Sequence, residues 1–259
     1  MNQPPPRVDL NADVGESFGA RRKGDDEPIF QYVTSANVAC GIHAGDPSII
    51  AATLDAAARH HVAVGAHPSY PDQAGFGRRT VDLSADELRQ ALIYQIGAVH
   101  ALAHAAGVRL VHVKPHGALY NDGAANAALA ATIAGAVAAC DPQLVLVGLA
   151  GSHLLPAGKA AGLRVAAEAF CDRVYEVDGT LRNRSHPDAV IEDPERAAKQ
   201  AVDIVVHGHV RAVNGVAIGV RAQSLCVHGD SKNAVETAAA IRAALKRSGA
   251  DVVPLATIV

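Results

Sequence analysis

Val8-Asp9-Leu10-Asn11-Ala12-Asp13 is a short apolar run that closes on a polar cluster, and the same layout returns five more times. It recurs at Asn37-Val38-Ala39-Cys40-Gly41-Ile42-His43, Val64-Gly65-Ala66-His67, His112-Val113-Lys114-Pro115-His116, Glu168-Ala169-Phe170-Cys171-Asp172 and Val227-His228-Gly229-Asp230. When parallel strands alternate with helices, their carboxyl ends gather at one face, and polar residues distant in sequence meet there. Charged side chains buried at strand ends are strongly destabilising unless they find a partner or water. The six clusters are therefore expected to line one polar pocket.

Helix signals separate these runs. Asp46-Pro47 supplies an N-cap and a first-turn proline before 49–60; Ser84-Ala85-Asp86-Glu87 is a capping box, with Gly107 as the stop. Asp193-Pro194-Glu195 opens another helix, and Asp230-Ser231 precedes one that Gly249 can end. Strands are expected near 7–12, 35–39, 62–66, 109–114, 144–148, 163–168 and 224–228. An open doubly wound sheet gathers its ligand residues at one switch point, whereas here nearly every strand contributes, which favours a closed barrel. Two less regular insertions, 68–82 and 173–192, are rich in Pro, Gly, Asp and Arg and are expected to overhang the barrel mouth.

At 259 residues the chain has the length of a single (β/α) barrel, about 250 residues, so one domain over 1–259 is the simplest reading. Apolar residues make up 49% and charged residues 19%, which permits a large core. Aromatics are 3% with no Trp, and the net charge is -3 without a basic stripe, so nucleic acid is not an expected partner. The N-terminal Met-Asn-Gln-Pro-Pro-Pro-Arg has no apolar signal region, and the Ala-rich stretch 129–140 is too short for a membrane span. A cytoplasmic location is expected. The cysteines Cys40, Cys140, Cys171 and Cys226 form no C-x-x-C pair and read as reduced thiols.

Side chains alternate faces along a strand, so Asp9, Asn11 and Asp13 can share one face, as can His112, Lys114 and His116, or His228 and Asp230. A carboxylate beside an imidazole can orient the ring as a general base or join it in holding a divalent metal, and spacing alone does not choose. Asp9 reads either as a barrel-bottom ion-pair partner or as a site residue, and Asn37 either as a backbone-bonding or a site amide. His43 sits between Gly41 and Gly45 in a sharp turn, and His67 precedes Pro68. Lys114, flanked by two histidines at a strand end, is the clearest candidate, because lysine is rarely buried without a partner. Glu168 and Asp172 share one face of an apolar segment. His100 and His104 have helical spacing but no nearby carboxylate and read as a solvated helix face, as do His60, His61, His207 and His209. The sequence holds no P-loop: the stretch from Gly151 to Gly158-Lys159 has the wrong gap, and Ala160 stands where Ser or Thr is required. It also holds no G-x-S-x-G elbow, H-E-x-x-H pair or dinucleotide fingerprint.

At these same residues the chain resembles the LamB/YcsF family, the A-subunit family of the prokaryotic ATP-dependent 5-oxoprolinase. The stretches that carry the likeness are Asp9 to Glu16, Asn37 to Asp46, Gly65 to Asp72, Gly75 to Arg79, Val113 to Tyr120, Glu168 to Arg173 and Val227 to Asp230. They run in order along almost the whole chain. Cys171 departs from the pattern, standing where a small residue such as Ala is expected.

The resemblance implies an α/β fold, a seven-stranded (β/α) barrel of the glycoside hydrolase/deacetylase type, which is a distorted TIM-like barrel. It implies opening of the lactam ring of 5-oxo-L-proline to L-glutamate with ATP as co-substrate, in a complex with subunits B and C that handle the nucleotide. On this reading the catalytic candidates are Asp13, His43, His67, Lys114, His116, Glu168 and Asp172. Water would be activated by Asp13 or by His43, His67 or His116, and Glu168 or Asp172 would orient the base or protonate the departing nitrogen. Lys114 and Arg78 would stabilise developing negative charge, a contribution of roughly 3 to 4 kcal/mol per well-placed donor. Asn11, Asn37, Arg78, His228 and Asp230 are candidates for substrate binding. By likeness to metal-dependent deacetylases, Asp13, His43 and His67 are candidates for a divalent metal. The alternatives are a metal-dependent amidohydrolase or deacetylase acting without ATP, and a non-enzymatic subunit that binds and hands over substrate.

Overall fold

Alternation of inward and outward residues along the strands builds two concentric layers, and in β1 the inward set is polar and the outward set apolar. The computed structural model describes residues 4–19, 26–228 and 233–259. The strands are β1 (Arg7–Val14), β2 (Ser35–Ala39), β3 (Ala63–His67), β4 (Leu110–Val113), β5 (Val145–Leu149) and β6 (Arg164–Phe170). A small antiparallel hairpin of β7 (His209–Arg211) and β8 (Ala217–Gly219) follows, then β9 (Ser224–Val227). Strands β1 to β6 pair in sequence, and β9 joins β6 to β1, closing a seven-stranded parallel barrel. The seven expected strands are thus the seven staves. A two-residue strand, β10 (Asp251–Val252), adds to the beginning of β1. No periodic signal marks β7, β8 or β10, because segments of two or three residues are too short to show one.

On β1, Val8, Leu10, Ala12 and Val14 point outward into the main core, while Asp9, Asn11 and Asp13 reach polar partners across the barrel interior. Each aliphatic side chain fully buried in that outer layer contributes about 1.5–3 kcal/mol. The covering helices are α1 (Pro47–Arg59), α2 (Ala85–Ala105), α3 (Gly117–Ala125), α4 (Ala127–Cys140), α5 (Leu154–Ala160), α6 (Pro194–His207) and α7 (Ala234–Arg247). The caps read from the sequence stand at three of these starts. Asp46 accepts from the backbone of Ser48 and Ile49, Ser84 and Glu87 form the reciprocal box, and Asp193 accepts from Glu195 N–H. Asp230 and Ser231, read as the start of α7, lie outside the described residues. Val145, Val147 and Ala166 with Leu255 form a separate small apolar cluster on the β5–β6 side. Among the described residues no helix is long and apolar enough to cross a membrane.

Candidate active site

The barrel interior is a stack of polar layers, and register decides who meets whom. The lowest layer is Asp9, which accepts hydrogen bonds from the Thr34 (2.8 Å), Ser35 (2.6 Å) and Ser224 hydroxyls. Burial pushes its carboxyl up to about 6, against the pull of those donors. Asp9 is therefore a core group below the site.

The second layer is an amide network. Asn11 donates through Nδ2 to Glu168 Oε1 (2.8 Å) and Ser224 Oγ (2.7 Å). Asn37 donates to Asn11 Oδ1 (2.7 Å) and Asp13 Oδ1 (2.8 Å), and accepts from His112 Nε2 (2.7 Å). Gly65 lies against the His112 ring so closely that a Cβ there would collide with it. Burial, then the nearby charge of Lys114, pushes His112 down to about 3, which keeps it neutral. Asn11 and Asn37, expected as substrate ligands, do not line the cavity above, because their amides are committed to this network.

Lys114 joins the second layer to the third. Its ammonium, 2% exposed, meets Glu168 Oε1 (3.0 Å), Asp13 Oδ1 (3.1 Å), Asn11 Oδ1 (3.2 Å) and Cys226 Sγ (3.0 Å). Burial opposes its charge, but Asp13, Cys226 and Glu168 outweigh that and hold it well above the ordinary lysine range. Glu168 is fully buried, does not line the cavity, and spends its second oxygen on the Tyr120 hydroxyl (2.7 Å). It holds the Lys114 ammonium from below.

Above Lys114 a cavity of about 520 Å³ opens at the carboxyl ends of the strands. On one side stand Asp13, His67 and His116. His67 Nδ1 donates to the Lys114 carbonyl (2.7 Å), and His116 Nε2 donates to the Phe76 carbonyl (2.9 Å). Those bonds occupy the outer nitrogens, so His67 Nε2 and His116 Nδ1 face each other 2.9 Å apart and share whatever proton or cation lies between them. Such a pair is stable only with a proton or a cation nearby. Asp13 Oδ2 lies 3.4 Å from His67 Nε2. Burial works against ionisation of Asp13, but the charges of His67 and Lys114 prevail and hold it well below the usual carboxylate range. His116 is held well below its ordinary value by burial and by His43 and His67.

His43 stacks on His116 with ring centroids 4.0 Å apart, and Glu16 Oε1 lies 3.7 Å from His43 and 3.5 Å from His116. Among the described residues three groups of possible ligands have donor atoms within 4.8 Å of one another: Asp13–His67–His116, Glu16–His43–His116 and Asp13–Cys226–His228. The expected trio of Asp13, His43 and His67 is not one of them, because His43 belongs to the Glu16 side.

Opposite, Asp172 accepts from both the backbone N–H and Nδ1 of His228 (2.9 Å each), and the ring stacks on Phe170. Burial resists ionisation of Asp172, but the His228 charge and these bonds hold its carboxyl below the usual range. Asp230 lies outside the described residues. Both insertions do overhang the mouth: 68–82 contributes Arg78 and 173–192 contributes Arg182 and Arg184. The first is clamped by Gln95, whose amide bonds both backbone groups of Ser69 (2.9 and 2.8 Å). At Gly77, where φ is +65°, a Cβ would strike Ser69 Oγ and crowd His116, so only glycine lets the loop lie on the histidines.

Sequence spacing does not single out Glu16, Cys226 or Tyr120 as site residues. Cys226 is legible all the same, since it shares the inward parity of Ser224 and His228. Tyr120 lies on α3, four residues beyond His116, and Glu16 two residues beyond β1, where strand parity no longer applies.

A profile of the LamB/YcsF family matches residues 8–259. A protein of Methylococcus capsulatus, named as the A subunit of 5-oxoprolinase, is 53% identical over 248 residues, covering 96% of this chain and 95% of the relative. The crystal structure of a lactam utilization protein from Thermus thermophilus superposes with a TM-score of 0.89 at 48% identity, covering 95% of this chain and 99% of that one. A structure of T48 deacetylase with substrate shares the fold, with a TM-score of 0.51 at 14% identity, covering 98% and 90% of the two chains. A profile match over nearly the full length, with relatives at half identity, leaves one assignment: the chain belongs to the LamB/YcsF family.

Proposed function

We propose that this chain, acting as one (β/α) barrel domain over 1–259, is the A subunit of a cytoplasmic ATP-dependent 5-oxoprolinase that works with subunits B and C. It opens the lactam of 5-oxo-L-proline to L-glutamate while the partners use ATP to phosphorylate the lactam oxygen. The observation that carries the reading is the convergence of Asp13, His67, His116, Lys114 and His228 on one cavity, in a chain about half identical to proteins named as A subunits of 5-oxoprolinase.

The donor set of Asp13, His67 and His116 suits a divalent cation, because each imidazole already gives its other N–H to a carbonyl, the arrangement that aims a ring nitrogen at a metal. A divalent cation held there would supply Lewis acidity and a more acidic bound water. The chain's own groups divide the remaining work. The ionised Asp13 with His67 and His116 takes the proton of the attacking water, whose oxygen bonds to the ring carbon. Lys114 balances the charge that builds above it. The endocyclic C–N bond then breaks, and the nitrogen takes a proton from His228 Nε2, the ring nitrogen that Asp172 does not occupy. The acyl phosphate left behind is cut by a second water, whose oxygen bonds to the acyl carbon as the bond from that carbon to the phosphate oxygen breaks, giving glutamate and inorganic phosphate. Arg78, at the rim over the Phe76 ring, offers its charge to the substrate carboxylate or phosphoryl group.

The test measures glutamate released from 5-oxoproline and ATP by this chain alone, by the partner subunits alone, and by both. Only the mixture is expected to turn over, and Lys114→Ala is expected to abolish it. Glutamate formed by this chain alone without ATP would replace this reading with that of a metal-dependent amidohydrolase. Turnover by the partners alone would remove the chain from the chemistry.

A further inference from the structure

The loop 173–192 is a wall with two faces. One face, through Arg173 and residues 178–184, lines the catalytic cavity. The other, through Val174, Asp188, Val190 and Ile191, lines a separate groove of about 470 Å³ completed by α6 and the β7–β8 hairpin. The hairpin is tied to the loop: Val213 N–H donates to the Tyr175 carbonyl (2.8 Å), and the Tyr175 hydroxyl in turn accepts from Phe170 N–H (2.7 Å) at the end of β6. The backbone of Ile191 donates to the Asp172 carbonyl (2.8 Å). Groove, loop and the Asp172–His228 pair are thus one connected piece of structure.

The groove side is chemically unfinished. Val213 (41% exposed) lines the groove, and Val216 (57%) on the same hairpin and Val177 (60%) on the loop are further large apolar side chains in solvent. The cations and anions of the groove do not balance. Lys199 pairs with Asp203 and Asp188 with Arg182, but among the described residues Arg196 and Arg211 meet no carboxylate. Exposed apolar groups rimmed by uncompensated charge are the composition of a docking face. The occupant must bring apolar side chains flanked by acidic ones.

Resting on the subunit reading above, we infer that this groove and hairpin are where the ATP-using partner docks, through an apolar segment bearing Asp or Glu opposite Arg196 and Arg211. A phosphorylated lactam is labile in water, so the partner that makes it must deliver it close to the mouth. The loop 173–192 places the docking face and the cavity on its two sides, which brings the partner to the rim where Arg182 and Arg184 stand.

The test uses the full chain with its purified partner subunits. Affinity is measured by interferometry at two salt concentrations for the unaltered chain, Arg196→Glu/Arg211→Glu, Val213→Ser/Val216→Ser, and Lys114→Ala as a variant that assembles without turning over. The charge reversal is expected to weaken assembly by about tenfold or more, most strongly at low salt, with glutamate release recovering at saturating partner. The valine variant is expected to weaken it independently of salt. All altered side chains on the groove are at the surface, and an unchanged melting temperature verifies the fold. Unaltered affinity in both groove variants, in a chain that does bind its partners, overturns the docking face alone. Variants that change only self-association of the isolated chain also overturn it, and failure of the unaltered chain to bind any partner overturns the subunit reading with it.

Discussion

Two imidazole–carboxylate groups face each other across the Lys114 ammonium, and they are wired in opposite ways. On the β1–β3 side, His67 and His116 spend their outer nitrogens on backbone carbonyls and turn their inner nitrogens toward each other, with His67 Nε2 also beside Asp13. On the β6–β9 side, Asp172 takes both the backbone N–H and Nδ1 of His228, fixing a single ring as a proton carrier. The residue types are the same, but one arrangement gathers acceptors and the other presents a donor. The first suits a cation and an attacking water, the second a leaving nitrogen.

The largest expected effect breaks the acceptor side. Asp13→Asn or His67→Ala should lower coupled glutamate release by about a thousandfold. Either should also abolish stoichiometric binding of a divalent ion such as Zn²⁺ or Mn²⁺ to the isolated chain, read by titration calorimetry. Metal binding that survives in both variants would dissolve the contrast between the two sides. Asp13→Asn also takes an ionised partner from the Lys114 ammonium, so a fall in melting temperature accompanies it.

How much of this was legible in sequence follows from which physics each feature obeys. Strand parity is strictly local, so Asp13, Lys114, Glu168 and His228 could be placed on inward faces from single stretches. Closure was inferred from the spread of polar strand ends. What parity cannot give is the height of a residue in the barrel. Asn11 and Asn37 read as ligands but sit one layer below the cavity, and Glu168 is sealed beneath Lys114. The partition of the histidines was equally hidden. Whether His43 or His116 joins Asp13 depends on the loop 68–82 folding back so that the Phe76 carbonyl reaches His116, a contact across 40 residues.

A smaller effect sharpens the comparison from the donor side. His228→Gln keeps a polar group against Asp172 but cannot deliver a proton, and should lower turnover by about a hundredfold. Its metal stoichiometry should equal that of the unaltered chain. Added imidazole should restore part of the turnover lost in His228→Gly, and an absence of rescue would reduce His228 to a binding group.

The smallest effect lies beneath both sides, at Asp9, and it separates stability from catalysis. Its folded-state carboxyl is raised to about 6 from 3.8 by burial, so the folded chain binds this proton more tightly than the unfolded one. The stabilisation from that proton is complete below pH 3.8 and is lost as pH rises through 6. Above that window the ionised group destabilises the fold by on the order of 3 kcal/mol relative to its neutral form. Asp9→Asn keeps the size and removes the titration, so its melting temperature should exceed that of the unaltered chain at about pH 7.5, and the gap should close between about pH 6 and 4. Because the Asp9 carboxyl bonds, among the described residues, only the hydroxyls of Thr34, Ser35 and Ser224, turnover at neutral pH should stay within about twofold. A variant that is less stable at neutral pH would mean that the three hydroxyls need the anion itself. The polar column under Lys114 would then be an ionic support of the site in place of a neutral floor.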